Sequence, residues 1–362
     1  MGFIPAQYYN TINLLLILLF TIGIIPKYRQ LGANVVLSKS TASSGLMLAI
    51  LFSFFIGLRP ISSVFIDMTQ YLGIYNRWSG DFEFSIFAEN FIYDNLMNYL
   101  ASIQFPPVLF YLMIAAIYYG GTFVACRKLF EENSGAAFVV FLAAFSTFSY
   151  GTNGIKAGAA AAVFLMALAY RDKLWLSVIF AIASLGLHHS MQLPIAAYVL
   201  TLFFKNPKFY FSAWCFCLLI AAAHITVFQH FFAGLSDERG AGYLLSNDQG
   251  WGGKGGFRID FVLYSAMPVL VGYWAIYKKK MQLSKFYVNL LNMYLCTNGI
   301  WMLCMYVAYT NRIAYLSWFM YPIVLIYPFL KEDWGPSRYR TFYRVAWAHL
   351  VFTLFMSFVY YA

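Results

Sequence analysis

The chain has 362 residues, of which 62% are hydrophobic and 10% charged, with a net charge of +10. Soluble domains carry about 25% charged residues, so a chain this apolar cannot cover a water-facing surface. The positive charge is not a nucleic-acid signature either. It lies in short runs between apolar segments, such as Lys278, Lys279 and Lys280, in the manner of cytoplasmic membrane anchors.

A helix needs about 20 apolar residues to cross a bilayer. The first such stretch, 8–26, has no basic region ahead of it and no small-residue cleavage site, so it reads as a retained helix. The second, 43–59, ends in Gly57-Leu58-Arg59-Pro60. The long segment 60–105 then carries Asp67, Asp81, Glu83, Glu89 and Asp94 among many aromatics, and its apolar spacing predicts short helices along the interface. Further spans are expected over 106–126, 135–150, 154–170, 174–187, 189–204 and 209–230. Segment 231–259 is rich in glycine and holds Tyr243, Trp251, Lys254 and Arg258, which suits a binding loop or lid. The last spans are expected over 260–277, 286–307, 312–330 and 343–361. The fold class is thus all-α: a polytopic bundle of about 12 transmembrane helices in one integral membrane domain, 1–362. Short spans such as 174–187 are expected to tilt, re-enter or pack inside the protein. The five cysteines fall in apolar stretches and read as small core residues rather than a disulfide set. No internal repeat is evident, which disfavours a transporter built of two halves.

Orientation follows from the basic residues. With the N-terminus outside and the spans alternating, the outer side holds Arg59, Arg77, Lys156, Arg239, Lys254, Arg258 and Arg312. The remaining 17 of the 24 lysines and arginines fall in inner loops. That split obeys the positive-inside rule. The outer seven lack this topological reason and need one of their own.

Arg59 closes the second span, with Asp67 and Tyr71 shortly after. They suit a phosphate and a sugar hydroxyl; equally, an interfacial arginine snorkels and an aspartate caps a helix. Lys156, in Gly154-Ile155-Lys156-Ala157-Gly158, opens an outer helix end, and a charge near membrane depth marks a site by default. Gly154 and Gly158 have a packing role of their own, by the small-xxx-small rule. His188 and His189 precede Ser190. An imidazole can act as a base, donate to a sugar or bind a metal, but adjacent helical residues diverge by about 100°, and no ligand set accompanies them. His224 and His230 read as structural. Arg258 and Asp260 form either a ligand site or a local ion pair. Asn311 is expected to cap a helix whose first turn then holds Arg312, where the helix dipole disfavours a cation and an anionic partner would relieve it. Cations, a carboxylate and histidines on one face suit a phosphate that carries a sugar.

Four short blocks, in order, resemble the EpsG-type membrane proteins, relatives of the Wzy polysaccharide polymerases. They are Gly57-Leu58-Arg59 with Asp67-Met68-Thr69-Gln70-Tyr71, Asn153-Gly154-Ile155-Lys156-Ala157-Gly158-Ala159-Ala160, Leu187-His188-His189-Ser190 and Thr310-Asn311-Arg312-Ile313. They span about residues 50–330. In the second block Lys156-Ala157 stands where the family pattern has Arg-Gln, which keeps the charge but loses the bidentate fork. The resemblance implies a GT-C-like membrane glycosyltransferase of the bacterial inner membrane, active on the periplasmic face in capsule, exopolysaccharide or O-antigen assembly. Its substrates would be undecaprenyl-pyrophosphate-linked saccharides, with no cofactor and no metal. A chain-length regulator is a further partner it leaves open. In this scheme Arg59, Lys156, Arg258 and Arg312 hold pyrophosphate, and Asp67, His188 and His189 serve the acceptor hydroxyl. Three rivals share the composition: a flippase for the same lipids, a membrane O-acyltransferase suggested by the histidine pair, and a scaffold without activity. A flippase would carry cations deeper in the membrane, whereas these hug one face.

Overall fold

A computed structural model describes residues 4–30, 40–78, 80–234, 256–307 and 309–361. Among these residues every regular element is helical. In chain order those of six residues or more are α1 (Tyr9–Ile24), α2 (Ser40–Gly57), α3 (Ile66–Arg77), α4 (Phe91–Ser102), α5 (Pro107–Phe130) and α6 (Ser134–Leu142). Next come α7 (Thr147–Thr152), α8 (Ile155–Ala169), α9 (Leu174–Leu187), α10 (Gln192–Phe203), α11 (Pro207–Ala222) and α12 (Val227–Gly234). The last are α13 (Ile259–Tyr273), α14 (Lys285–Leu303), α15 (Thr310–Trp318), α16 (Tyr321–Leu330) and α17 (Arg338–Phe355). Short helices α3 and α4 occupy the segment where interfacial helices were expected. Tyr243, Trp251 and Lys254 of the glycine-rich segment lie outside the described residues.

Five helical stretches are long and apolar enough to cross a membrane: Ala6–Arg29, Pro107–Leu142, Ile259–Lys278, Thr310–Leu330 and Arg338–Tyr360. Four more apolar helices are shorter, among them α9, whose 14 residues rise about 21 Å. Other expected spans are broken. The stretch 135–150 divides into α6 and α7, with the Thr147 hydroxyl donating to the Phe141 carbonyl (2.7 Å) at the break. The stretch 209–230 divides after Ala222, where His224 adopts a left-handed φ of 56°. Of the about 12 transmembrane helices expected, five are long and apolar enough among the described residues. The chain is nonetheless a multi-pass helical membrane protein, because several of its helices are long and apolar enough to cross a bilayer and turn large apolar side chains outward. Leu15, Leu19 and Ile22 of α1 and Leu174, Trp175 and Ile182 of α9 are exposed, while Thr21, Ser53, Thr122 and Ser184 are buried. The Thr21 and Ser53 hydroxyls donate to carbonyls four residues back (2.7 and 2.6 Å), as buried polar groups in lipid must find partners inside the protein.

The chain forms two compact units. The first comprises residues 1–192, 329–331 and 335–362; the second, 193–328 and 332–334. In the first unit, α8 is the central helix, flanked by α5 and α9, and α5 also packs on α2. The alanine-rich face of α8 permits this closeness. A Cβ on Gly158 would lie 2.6 Å from the Tyr150 carbonyl oxygen, so only glycine lets α7 fold down onto α8. Ser184 of α9 donates to the Ala160 carbonyl (2.7 Å) and sets the α8–α9 register. In the second unit, α14 packs on α11, with α13 and α15 also against it. Buried polar side chains lock this core. Asn298 accepts from Trp214 Nε1 (2.8 Å) and donates to Ser317 (3.0 Å), and Trp318 Nε1 donates to Ser265 (2.8 Å).

Within each unit the connections sort into the two groups that the charge count assigned to opposite sides. In the first unit Tyr28 meets Asn133, Thr41 meets the Glu132 carbonyl, Lys128 meets Asp172 and Lys331 meets Glu131, all from loops read as inner. Arg59, Thr152, Asp94, Lys156, Asn90 and His189, all read as outer, meet one another instead. In the second unit Asn292 reaches the Lys205 carbonyl and Ser284 meets Glu332, whereas Tyr306 meets Ala221 and His224.

The packing at α8 predicts that Gly158→Leu destabilises the protein by about 1–3 kcal/mol or more through overpacking. Gly120→Ala, where an added Cβ meets nothing within 4 Å, is expected to stabilise by about 0.4–1 kcal/mol as an unstrained change inside a helix. Thermal unfolding of the purified variants in detergent compares the two. Equal midpoints for both would refute the close-packing role of Gly158.

Candidate functional site

Lys156 is the second residue of α8, and its ammonium lies near Tyr71 of α3 and Tyr93 of α4. The ammonium is 5.3 Å from the Tyr93 ring centre and 5.8 Å from that of Tyr71. Burial, followed by the nearby Tyr71, Tyr111 and Asp94, pushes the Tyr93 phenol well above its usual range, so it stays neutral and offers the cation only a ring face. The nearest carboxylate, Asp94, is 4.0 Å away. That separation is an ion-pair distance but too long for a hydrogen bond. The ammonium is thus held in place with its donors available.

Asp94 is itself fixed. Its Oδ2 accepts from the Asn90 backbone N–H (3.0 Å) and from the Asn90 side-chain amide (3.4 Å). Asn90 is the residue before α4 and is buried. Its side-chain oxygen accepts from the His189 backbone N–H (3.1 Å) and lies 3.3 Å from His189 Nδ1. The same Nδ1 is 3.1 Å from Glu89 Oε1, an ion pair when the imidazole is protonated. His188 stacks on His189 with ring centres 5.0 Å apart, and its Nδ1 accepts from the Ser190 backbone N–H (3.2 Å). A continuous polar chain therefore runs Lys156, Asp94, Asn90, His189, Glu89, with His188 beside it. The two histidines are adjacent because α9 ends at Leu187 and His188 is extended (φ −155°, ψ 120°), so they do not follow the 100° divergence of a helix.

The surrounding fold explains the gathering. Asn95 donates to the Ser85 and Phe91 carbonyls (both 2.8 Å) and accepts from the Ser85 N–H (2.8 Å), which pins the strand of chain bearing Glu89 onto α4. Gly186 lets α4 close on α9, since a Cβ there would lie 2.6 Å from Ile92. The Tyr111 hydroxyl holds the Met68 carbonyl (2.9 Å) and Tyr75 holds that of Phe105 (2.6 Å), which seat α3.

Asp67 lies in the first turn of α3, one turn before Tyr71 and on the same face of the helix. Arg59 has a different setting. It is 1% exposed, and its two terminal nitrogens donate to the Ile56 and Thr152 carbonyls (both 2.7 Å). The Phe65 and Tyr111 rings flank the guanidinium at 5.2 and 5.7 Å. It ties the end of α2 to the end of α7.

Arg258 and Arg312 belong to the second unit. Arg258 makes a bidentate pair with Asp260 (2.6 and 3.0 Å) and lies 3.6 Å from the Phe261 ring centre, so of the two sequence readings the local ion pair is the one seen. Arg312 is exposed, in the first turn of α15, and lies 5.0 Å from the Tyr309 ring centre. Asn311 does not cap that helix. Tyr309, in a left-handed conformation (φ 51°), precedes it, and Asn311 is the second helical residue. His224 stacks on Tyr306 at 4.1 Å, as a structural histidine would.

Sequence reasoning named Glu89 and Asp94 only as charges of a loop and did not single out Asn90. The signal lay in Glu89-Asn90 followed four residues later by Asp94 at the start of an amphipathic helix, where a polar side chain satisfies orphan N–H groups.

A helical, multi-pass membrane protein with a charged and histidine-bearing cluster at its helix ends is thus the class defined. The EpsG family is matched over residues 44–362, and the chain belongs to that family. No curated protein and no solved structure matches it. Membership associates the chain with exopolysaccharide-related polymerases of glycosyltransferase-like activity.

Asn90 joins both halves of the polar chain, so Asn90→Ala is expected to cost about 1–3 kcal/mol by leaving buried partners unsatisfied. Asn98→Ala, which removes one exposed bond to the Glu83 carbonyl, is expected to cost less. Unfolding midpoints of the two variants decide this, and a larger loss for Asn98→Ala would overturn the assignment of Asn90 as the junction.

Proposed function

We propose that the chain is a membrane glycosyltransferase that polymerises saccharide units carried on undecaprenyl pyrophosphate, at the extracytoplasmic face of the bacterial inner membrane. The observation that carries this reading is the Lys156–Asp94–Asn90–His189–Glu89 chain, which links a cation with available donors, through Asp94 and Asn90, to a fixed pair of imidazoles. Family membership and the seven cations outside the positive-inside pattern support it.

The reaction breaks the bond between the anomeric carbon and the pyrophosphate oxygen and forms one to an acceptor hydroxyl. Negative charge grows on the departing pyrophosphate, and a preorganised cation stabilises it most where water is scarce. Lys156 is the residue assigned to that charge. As a point charge it neutralises without the planar fork of arginine. Asp67 or His188 takes the proton of the acceptor hydroxyl. Glu89 and Asn90 hold the His189 ring, and His188 stacks on it, so both imidazoles are fixed before substrate arrives. Arg59, with its terminal nitrogens on carbonyls, positions the ends of α2 and α7 rather than gripping phosphate. Arg312 carries the same expected role as Lys156 on the strength of its sequence block. Arg258 has a carboxylate already and is assigned only a supporting part.

A deletion strain complemented with Lys156→Ala or Arg312→Ala provides the test. Expected is loss of long polysaccharide on gels at normal protein levels, with single lipid-linked units still reaching the outer face. Lys156→Arg is expected to retain polymer. Units trapped on the cytoplasmic side would make the chain a flippase and sink the polymerase reading. Full polymer from both alanine variants would remove the cations from the mechanism.

A further inference from the structure

A second charged feature lies in the first unit, at the end away from Lys156. The end of α5 with the turn after it, Tyr170 between α8 and α9, Lys331 after α16 and the start of α17 surround a cleft of about 880 Å³. None of the residues discussed above as a polymerase site lines it. Four cations do: Arg127, Lys128, Lys331 and Arg338.

Two of them already have carboxylates. Lys128 pairs with Asp172 (2.8 Å), and its hydrogen bond holds that carboxyl below its usual range. Lys331 pairs with Glu131 (3.2 Å). Arg127 and Arg338 have no carboxylate partner among the described residues. Arg338 donates through Nη2 to the Tyr339 hydroxyl (2.9 Å), but its Nε is buried and makes no hydrogen bond. A guanidinium presents its donors as a planar fork matched to phosphate oxygens, and Arg127 and Arg338 both line the cleft. The cleft also holds Glu132, whose carboxylate opposes a bare polyanion and accepts from a hydroxyl. The recognised group must therefore combine an anionic phosphate with hydroxyls.

We propose that this cleft is a binding site for a hydroxyl-bearing phosphate ester, its phosphate held by Arg127 and Arg338 and a hydroxyl by Glu132. Two sources share that chemistry: the phosphoglycerol headgroup of an anionic lipid and a free polyol phosphate. The site is separate from the glycosyltransferase reading, and its test reads binding rather than polymer.

The full chain is placed in nanodiscs of phosphatidylcholine and titrated with sn-glycerol 3-phosphate while tryptophan fluorescence follows thermal unfolding. A second set of nanodiscs contains phosphatidylglycerol. A saturable rise in the unfolding midpoint is expected in one arm. Arg127→Gln and Arg338→Gln should each weaken it roughly tenfold, the loss of about one charge-assisted contact. Arg340→Gln, exposed and off the cleft, should not. A response to the free ester in pure phosphatidylcholine assigns a soluble ligand. A response confined to phosphatidylglycerol, lost in the same two variants, assigns the lipid headgroup. Should Arg338→Gln fail to fold, Arg338→Lys keeps the charge, loses the fork, and must still bind more weakly. Absence of any response in both arms, or an equal loss in Arg340→Gln, overturns the site.

Discussion

The first unit depends on how closely α8 approaches its neighbours. In lipid there is no hydrophobic gain from pressing one apolar helix against another, so association rests on van der Waals contact and internal hydrogen bonds. Both need small side chains at the contact. Gly158, Ala159, Ala160, Ala161 and Ala162 are all buried on α8, and the Ala160 carbonyl accepts the Ser184 hydroxyl across the α8–α9 contact. Lys156 and His188 follow from this packing. One starts α8, the other ends α9, and the antiparallel pair brings these two ends to the same level.

Polar groups then gather where helices stop. Helix ends carry unsatisfied N–H and C=O groups, and a bilayer supplies no water to satisfy them. Arg59 answers the carbonyls at the ends of α2 and α7. Asn90 joins the start of α4 to the turn after α9. Glu332 does similar work in the second unit by accepting from the Ser284 N–H and hydroxyl ahead of α14. The same physical demand that shapes these ends also sets charged side chains beside one another. A cluster that binds a substrate and one that merely closes helix ends therefore look alike in composition. What separates them is whether a cation is left with donors in hand. Lys156, 4.0 Å from its carboxylate, has them; Arg59 places both terminal nitrogens on carbonyls and its remaining Nε–H is sealed from solvent, and Arg258 holds a carboxylate in its fork.

The sequence blocks that resemble the family mark short local patterns, and each of their charged residues meets a different local environment. Lys156 in place of arginine keeps a positive charge where two tyrosine rings face it, which suits a compact ammonium without a defined fork direction. The family match extends over nearly the whole chain, from residue 44 to 362, and so rests on more than these blocks.

Composition and periodicity by themselves determined that the chain is helical, multi-pass and membrane-embedded, and which loops belong together. Those properties are sums over 20-residue windows, and the bilayer responds to such sums. They also located Lys156, Asp67 and the histidine pair at helix ends. Only the tertiary structure decided which of these meet. Asn90 and His189 are 99 residues apart in the chain, and no local pattern marks such a pair. It likewise decided that 135–150 and 209–230 break, because a hydroxyl or a left-handed residue interrupts the backbone ladder without altering hydropathy. Arg59 and Lys156 read alike as lone cations in sequence. They differ because carbonyls surround the first and aromatic faces the second, a distinction made by packing alone.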